Sequence, residues 1–188
     1  LAAIGALIVS EKVDVAVLQE VHVNFNATSG YMDEMAVLRG HLAPIGLTSD
    51  HFQPRCDRGN PQLSADGMAI FSRFPAQSIN WQQFGTATGH CAGGWFNTYV
   101  QKFGLQTMTV GFGGGSLVLG NTHMPSAPPD GYPNTVQGWE AAGNDFGAAN
   151  VAAMNASPHT FLMSGDYNAG PLGGAFIGIM SSPSTVKL

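Results

Sequence analysis

Apolar residues along this chain follow two rhythms. Four short stretches are apolar almost without a break, and each stops at polar residues. Val15-Ala16-Val17-Leu18 stops at Gln19-Glu20, and Met68-Ala69-Ile70-Phe71 stops at Ser72-Arg73. Leu117-Val118-Leu119-Gly120 stops at Asn121-Thr122-His123, and Phe161-Leu162-Met163-Ser164 stops at Gly165-Asp166-Tyr167-Asn168. Runs of this length predict buried strands. The second rhythm is helical. Leu1, Ile4, Leu7 and Ile8 share one helix face, as do Met32, Met35, Ala36 and Leu38 within 31–39. Trp139, Ala142, Phe146, Ala149 and Ala153 share a third within 135–154.

Between the second and third apolar runs, 77–84, 95–103 and 105–112 read as antiparallel strands of a meander, with Gly104 as the turn between the last two. The polar segment 48–65, with Pro54, Gly59 and Pro61, reads as a long surface loop. His51, Arg55 and Arg58 lie there and could meet an anionic substrate, but a solvated loop is the favoured reading. Gly113-Gly114-Gly115 is a turn and lacks the Lys and Ser/Thr of a phosphate loop. Residues 124–134 form a Pro-rich loop, and the chain after Ala169 is rich in Gly and Ser.

Composition narrows the function classes. A chain of 188 residues with no internal repeat or composition break is expected to form one domain, 1–188. The net charge of −5 argues against a strongly basic nucleic-acid footprint. No apolar run has the length of a membrane-spanning helix. Residues 1–10 lack the basic flank and cleavage site of a signal peptide. The chain starts without Met and is read as beginning inside a longer sequence. The spacing of Cys56 and Cys91 fits no zinc motif, and a bridge or two free thiols are both open.

The polar strand ends carry the chemistry. Asp166 and Asn168 are two apart in an extended segment and can point to one side. A carboxylate there can bind Mg²⁺ or take a proton, and a carboxamide can donate to a phosphoryl oxygen. The plain alternative is a turn in which both only cap the backbone. Glu20 and His123 each close a buried strand, where a side chain can face a site. Arg73 at its strand end can pair with a carboxylate or steer phosphate.

Taken in order, these four strand ends resemble the endonuclease/exonuclease/phosphatase superfamily, the fold of DNase I and the neutral sphingomyelinases. The resemblance covers about 13–169. It implies an α+β fold, a two-layer β-sandwich flanked by helices with the site at one edge of the sheets, here incomplete. It also implies Mg²⁺-dependent hydrolysis of phosphoester bonds, with Mn²⁺ as an alternative cofactor. By this resemblance Glu20 is the metal ligand. His123 is the acid or phosphate donor, and Asp166 orients or deprotonates the attacking water. Asn168, Asn121 and Arg73 are substrate-binding, with Arg73 near the site and also holding structure.

The departures are equally specific. Family members begin with a strand ending in Asn and end with an Asp-His pair, and neither is present; no His follows position 159. Only Gln137 is a candidate for the polar residues of the long helix, and the Lys-Gly of many sphingomyelinases is absent near 93–96. The chain is therefore read as truncated at both ends, and this fragment as a poor catalyst even if its parent is an enzyme. The expected partner is a phosphoester substrate, a phospholipid headgroup such as sphingomyelin or a small ester. A DNase I-like nuclease or a catalytically degenerate binding module are the alternatives. Trp81, Trp95 and Phe96 read as core before they read as a peripheral membrane patch. No obligate protein partner is implied.

Overall fold

The computed structural model describes residues 2–23, 33–57, 65–88 and 100–168. Two β-sheets pack face to face, with helices on their outer sides. The chain opens with α1 (Ala2–Ser10), β1 (Val15–Val23) and α2 (Glu34–Leu42). It continues through β2 (Ser49–Pro54), β3 (Cys56–Asp57), β4 (Ala65–Ser72) and β5 (Ala76–Thr88). β6 (Val100–Phe112), β7 (Gly115–His123), α3 (Val136–Ala156) and β8 (Thr160–Asp166) complete it. The first sheet has the order β1-β4-β2; in the second, β5 pairs β6, β6 pairs β7 and β7 pairs β8.

Three apolar layers explain this arrangement. α1 and α2 press Ile8, Met35, Leu38 and Leu42 onto Ala16, Val21, Ala69 and Phe71 of the first sheet. Ile70 points the other way and meets Met108, Val110 and Leu119 of the second sheet. Strand residues alternate between faces. The unbroken apolar run of β4 therefore belongs to a strand covered on both sides. α3 covers the far face of the second sheet through Phe146, against Ala87, Phe103 and Met124. Thr135 caps α3 by accepting from Gly138 N at 3.1 Å, and Asp33 caps α2 by accepting from Ala36 N at 3.0 Å.

The interior between the sheets also holds a polar bridge. Asn121, fully buried on β7, donates to the carbonyl of Leu18 at 3.0 Å and to Gln106 Oε1 at 3.1 Å. Its own Oδ1 accepts from Gln19 Nε2 at 2.7 Å. Gln106 in turn donates to the His51 carbonyl at 3.1 Å and lies 2.8 Å from His51 Nδ1. The amides of β6 and β7 are thereby tied to β1 and β2.

Several expectations change. Residues 49–54 and 56–57 are strand rather than loop, with Arg55 between them. β2 is an edge strand with polar residues along it, which an apolar pattern cannot reveal, while Phe52 packs on the core. Gly104 is no turn: β6 runs straight through it. A Cβ there would strike the Gln82 carbonyl oxygen and the Trp81 ring, so the glycine permits a close approach across the sheet. On α1 the buried residues are Gly5 and Ile8, whereas Ile4 and Leu7 face solvent. Gly5 sits against the ring of His41, and this contact with α2 sets the rotation of α1. Cys56 is disulfide-bonded, which decides between the two alternatives for that residue; Cys91, with Trp95, Phe96 and Arg58, lies outside the described residues.

Two predictions follow from the bridge. Asn121→Ala removes four hydrogen bonds, two of them, to Gln106 Oε1 and the Ala69 carbonyl, fully buried, at about 1–3 kcal/mol each. It should cost at least about 2 kcal/mol, read as a lower urea midpoint. Burial holds the His51 imidazole below its usual pKa, partly offset by Asp50. The unfolded chain therefore binds that proton at a higher pH than the folded one. The stability this gives is complete above about pH 6.5 and fades on acidification through the folded pKa. Thermal midpoints should fall between pH 7 and 5, and His51→Gln should flatten that slope.

Candidate active site

β7 and β8 run parallel, in a register that sets His123 beside Asp166. The two strands therefore deliver their polar ends to the same edge. His123 Nε2 lies 3.7 Å from Asp166 Oδ2. The imidazole is almost wholly buried, while the carboxylate is half exposed. Just beyond, Met124 N donates to the Asp166 carbonyl at 2.8 Å, so the chain keeps the register past the strand end. Gly165 is required here because a Cβ would run into the Thr122 carbonyl oxygen of the neighbouring strand.

The Asp-Tyr-Asn segment is locked from both sides. Asn168 N donates to Asp166 Oδ1 at 2.8 Å, and Asn168 Nδ2 donates to the Met124 carbonyl at 2.7 Å. The φ of Asn168 is 46°, a left-handed conformation that asparagine tolerates better than most residues. Tyr167 points the opposite way into the cluster of Phe103, Met124 and Phe146. Burial pushes its hydroxyl up to about 12, so Tyr167 stays protonated and serves as an anchor.

Glu20 reaches the same edge from the first sheet. Between Leu18 and Val21, β1 holds one more residue than the facing stretch Gly67 to Ala69 of β4. This is a β-bulge, and Glu20 sits in it with φ 55°. The bulge turns Glu20 out of the strand alternation, and it lines a cavity of about 300 Å³ together with His123 and Asn168. Arg55, Gln101 and Ser126 add polar wall, and Ala87, Phe103, Met124 and Ala127 add apolar wall. The loop carrying Ser126 is pinned further along, where Asp130 accepts from Thr88 N at 3.1 Å and from Thr86 Oγ1 at 3.1 Å.

Glu20, His123, Asp166 and Asn168 are thus brought together, as the sequence suggested. Two other candidates are not. Asn121, read as substrate-binding, is enclosed between the sheets and holds strands. Arg73 lies at the opposite end of β4. β1 and β4 are antiparallel, with Val15 opposite Ser72, so the end of β4 meets the beginning of β1. There Arg73 Nε lies 3.2 Å from Asp14 Oδ1, six residues before Glu20. Arg55 was taken for a solvated loop residue; it is 2% exposed and lines the cavity. Its sequence signal, a lone arginine between Pro54 and Cys56, is weak. His51 belongs to the bridge between sheets, and Gln137 is exposed in the first turn of α3.

The donor set suits a hard cation held lightly. Mg²⁺ is commonly bound by one or two carboxylates, with water and substrate phosphate completing the shell. Glu20 supplies one such carboxylate on the cavity wall. Among the described residues no group of three His, Cys, Asp or Glu could form an all-protein cage.

The model of the endonuclease/exonuclease/phosphatase family matches residues 1–182. The chain belongs to that family. Its fold is similar to an endonuclease/exonuclease/phosphatase from Beutenbergia cavernae, at 21% identity over 90% of this chain and 42% of that one, TM-score 0.62. It is also similar to the human nocturnin catalytic domain with bound sulfate, at 19% identity over 96% and 62% of the two chains, TM-score 0.57. A third likeness is to sphingomyelinase C from Streptomyces griseocarneus, at 19% identity over 90% and 56%, TM-score 0.59. The chain spans 42% to 66% of the length of the first solved structures it resembles. No curated protein matches it. Members of the family are hydrolases of phosphoester bonds. The sandwich expected from the strand ends is the family's fold.

The bulge yields a stability prediction. A non-glycine residue in the left-handed region costs about 1 kcal/mol. Glu20→Gly should therefore leave the fold as stable or raise its thermal midpoint, although it removes the cavity carboxylate. A clear drop in that midpoint would mean that Glu20 is needed for folding.

Proposed function

We propose that this protein is a Mg²⁺-dependent phosphoesterase that cleaves a small phosphodiester or a phospholipid headgroup by attack of water. The observation that carries this reading is the parallel register of β7 and β8, which sets His123 against Asp166 beside a cavity that Glu20 and Asn168 also line.

Each side chain has a role its position supports. Asp166, half exposed and held by Asn168 N, accepts the proton of the attacking water. His123, kept beside Asp166, donates an N–H to the phosphoryl group or to the leaving oxygen. Asn168 spends one amide N–H on Met124, and an amide carries two. Its second suits a phosphoryl oxygen. Glu20 would hold Mg²⁺, which when bound supplies positive charge to the phosphoryl oxygens. The apolar wall of Phe103, Met124 and Ala127 excludes water from one side of the ester.

Substrate class follows from charge and size. A chain with a net charge of −5 lacks the basic surface that grips duplex DNA. A cavity of about 300 Å³ fits a headgroup or a small ester. Mn²⁺ should substitute for Mg²⁺, since both take oxygen ligands.

The test is hydrolysis of bis-p-nitrophenyl phosphate by the full-length protein with and without Mg²⁺, followed by sphingomyelin vesicles and duplex DNA. Glu20→Gln and Asp166→Asn should each lower kcat/KM by roughly 10²- to 10⁴-fold while keeping the circular dichroism spectrum. Preference for DNA would favour the nuclease. A folded protein inert on all three substrates would be a binding module of this fold.

A further inference from the structure

We propose that β5 is a dimerisation edge, pairing antiparallel with β5 of a second copy of this chain about a two-fold axis at Asn80. The sandwich has an open side where both sheets end. The first sheet is three strands wide and stops at β2, and the second stops at β5, beyond β6. The two edges lie together, since Ala76 N donates to Ser49 Oγ at 3.3 Å. Among the described residues no strand pairs the outer edge of β5. Ile79, opposite Met108, shares the face by which Met108 reaches the first sheet. That narrow sheet does not extend over it, and Ile79 stays 44% exposed.

A free sheet edge offers unpaired N–H and C=O groups to any other strand, and folded proteins guard such edges with charge, proline or bulges. β2 is guarded, because Asp50, held by Arg39, and Pro54 lie on it. β5 is guarded only towards its ends. Its bulges fall between Ala76 and Ser78 and between Gln83 and Gly85. Past the second bulge Asp130 occupies the strand: Asp130 N donates to the Thr86 carbonyl at 2.8 Å, and Thr88 N donates to Asp130 Oδ1 at 3.1 Å. Between the bulges, Ser78 to Gln83 pairs residue for residue with Thr109 to Gly104 and carries neither charge nor proline.

The occupant follows from charge and register. β5 is free of charge from Ala76 to Thr88, whereas β6, of the same length, carries Lys102. In a chain of net charge −5, two copies repel each other least where neither presents a carboxylate. A neutral edge also offers nothing that would select a charged peptide. The stretch is complementary to itself. With Asn80 opposite its own copy, Ile79 faces the partner's Trp81 and Ser78 faces the partner's Gln82, each twice over, as an isologous contact requires. A β-branched residue against an aromatic is a favourable cross-strand pair, and a hydroxyl can hydrogen-bond an amide. Ile79 gains the cover that the first sheet does not give it.

The experiment is sedimentation velocity of the full-length protein over a range of concentrations, with amide hydrogen exchange at both extremes. A monomer–dimer equilibrium is expected, and the amides of 78–83 should exchange more slowly at the high concentration. Ile79→Lys removes both Ile–Trp pairs and sets a charge on each copy of the edge. It should raise the dimer Kd by about tenfold. Asn80→Cys should link two copies through one disulfide under mild oxidation, while Ser10→Cys, exposed on α1, should not. If Ile79→Lys fails to fold, the exchange of the unmodified protein and the Asn80→Cys link decide. A full-length protein that stays monomeric at the highest concentration would overturn the proposal. If 78–83 were then protected at every concentration, the rest of the chain would be the occupant instead. A dimer that Ile79→Lys does not weaken and Asn80→Cys does not link would use another surface, and would overturn it too.

Discussion

The position of one sheet over the other depends on a buried amide. Apolar contacts such as Ile70 against Met108 and Leu119 favour burial but have little direction, and two greasy faces could slide. Asn121 removes that freedom, because its hydrogen-bond partners lie on β1 and on β6 at fixed places. A shift by one residue would leave several buried polar groups without partners. Gln106 repeats the device towards β2 through His51. The bridge therefore acts at a distance on the site. Glu20 comes from the first sheet, His123 and Asp166 from the second, and their juxtaposition holds only while the sheets keep one register.

Local geometry then refines what the register provides. The extra residue in β1 swings Glu20 out of the strand pattern, and the parallel ladder lines up His123 with Asp166. Glycine at 165 and asparagine at 168 each occupy places that few other residues could fill. Tyr167 between them is driven into the apolar cluster under α3, so burial of one ring orients the carboxylate before it and the carboxamide after it. Strain at Glu20 is a feature of the site, sustained by the pairing on either side of the bulge.

Much of this was legible in the sequence because strands write themselves as apolar runs, although β8, expected to be buried, lies at the end of its sheet with Leu162 exposed. β1, β4, β7 and β8 were each visible, and so were their polar ends, α2 and α3. What was not legible depends on partners distant along the chain. β2 lies at a sheet edge and carries polar side chains, so nothing in 48–57 announces a strand. Gly104 resembles a turn residue until Trp81 is laid across it from β5. Ile4 and Leu7 share a periodicity with Ile8, yet the close contact of Gly5 with His41 selects a different face of α1. Arg73 and Glu20 both end apolar runs, and only the antiparallel pairing of their strands shows that these are opposite ends. Arg55 was hidden for a related reason. A residue at a crossing between sheets has no periodicity of its own, and its burial comes entirely from elements before and after it.

The carboxylate of Asp130 has a bearing on how the cavity meets its ligand. It clamps the loop after β7 to the end of β5 through Thr86 and Thr88. That loop carries Ser126 and Ala127, and β5 carries Ala87, and all three line the cavity. These parts of the lining are therefore fastened to each other at a point outside it. The entropy of ordering them is lost when the chain folds rather than at binding. To any ligand of the cavity, this stretch of wall is a template cast in advance.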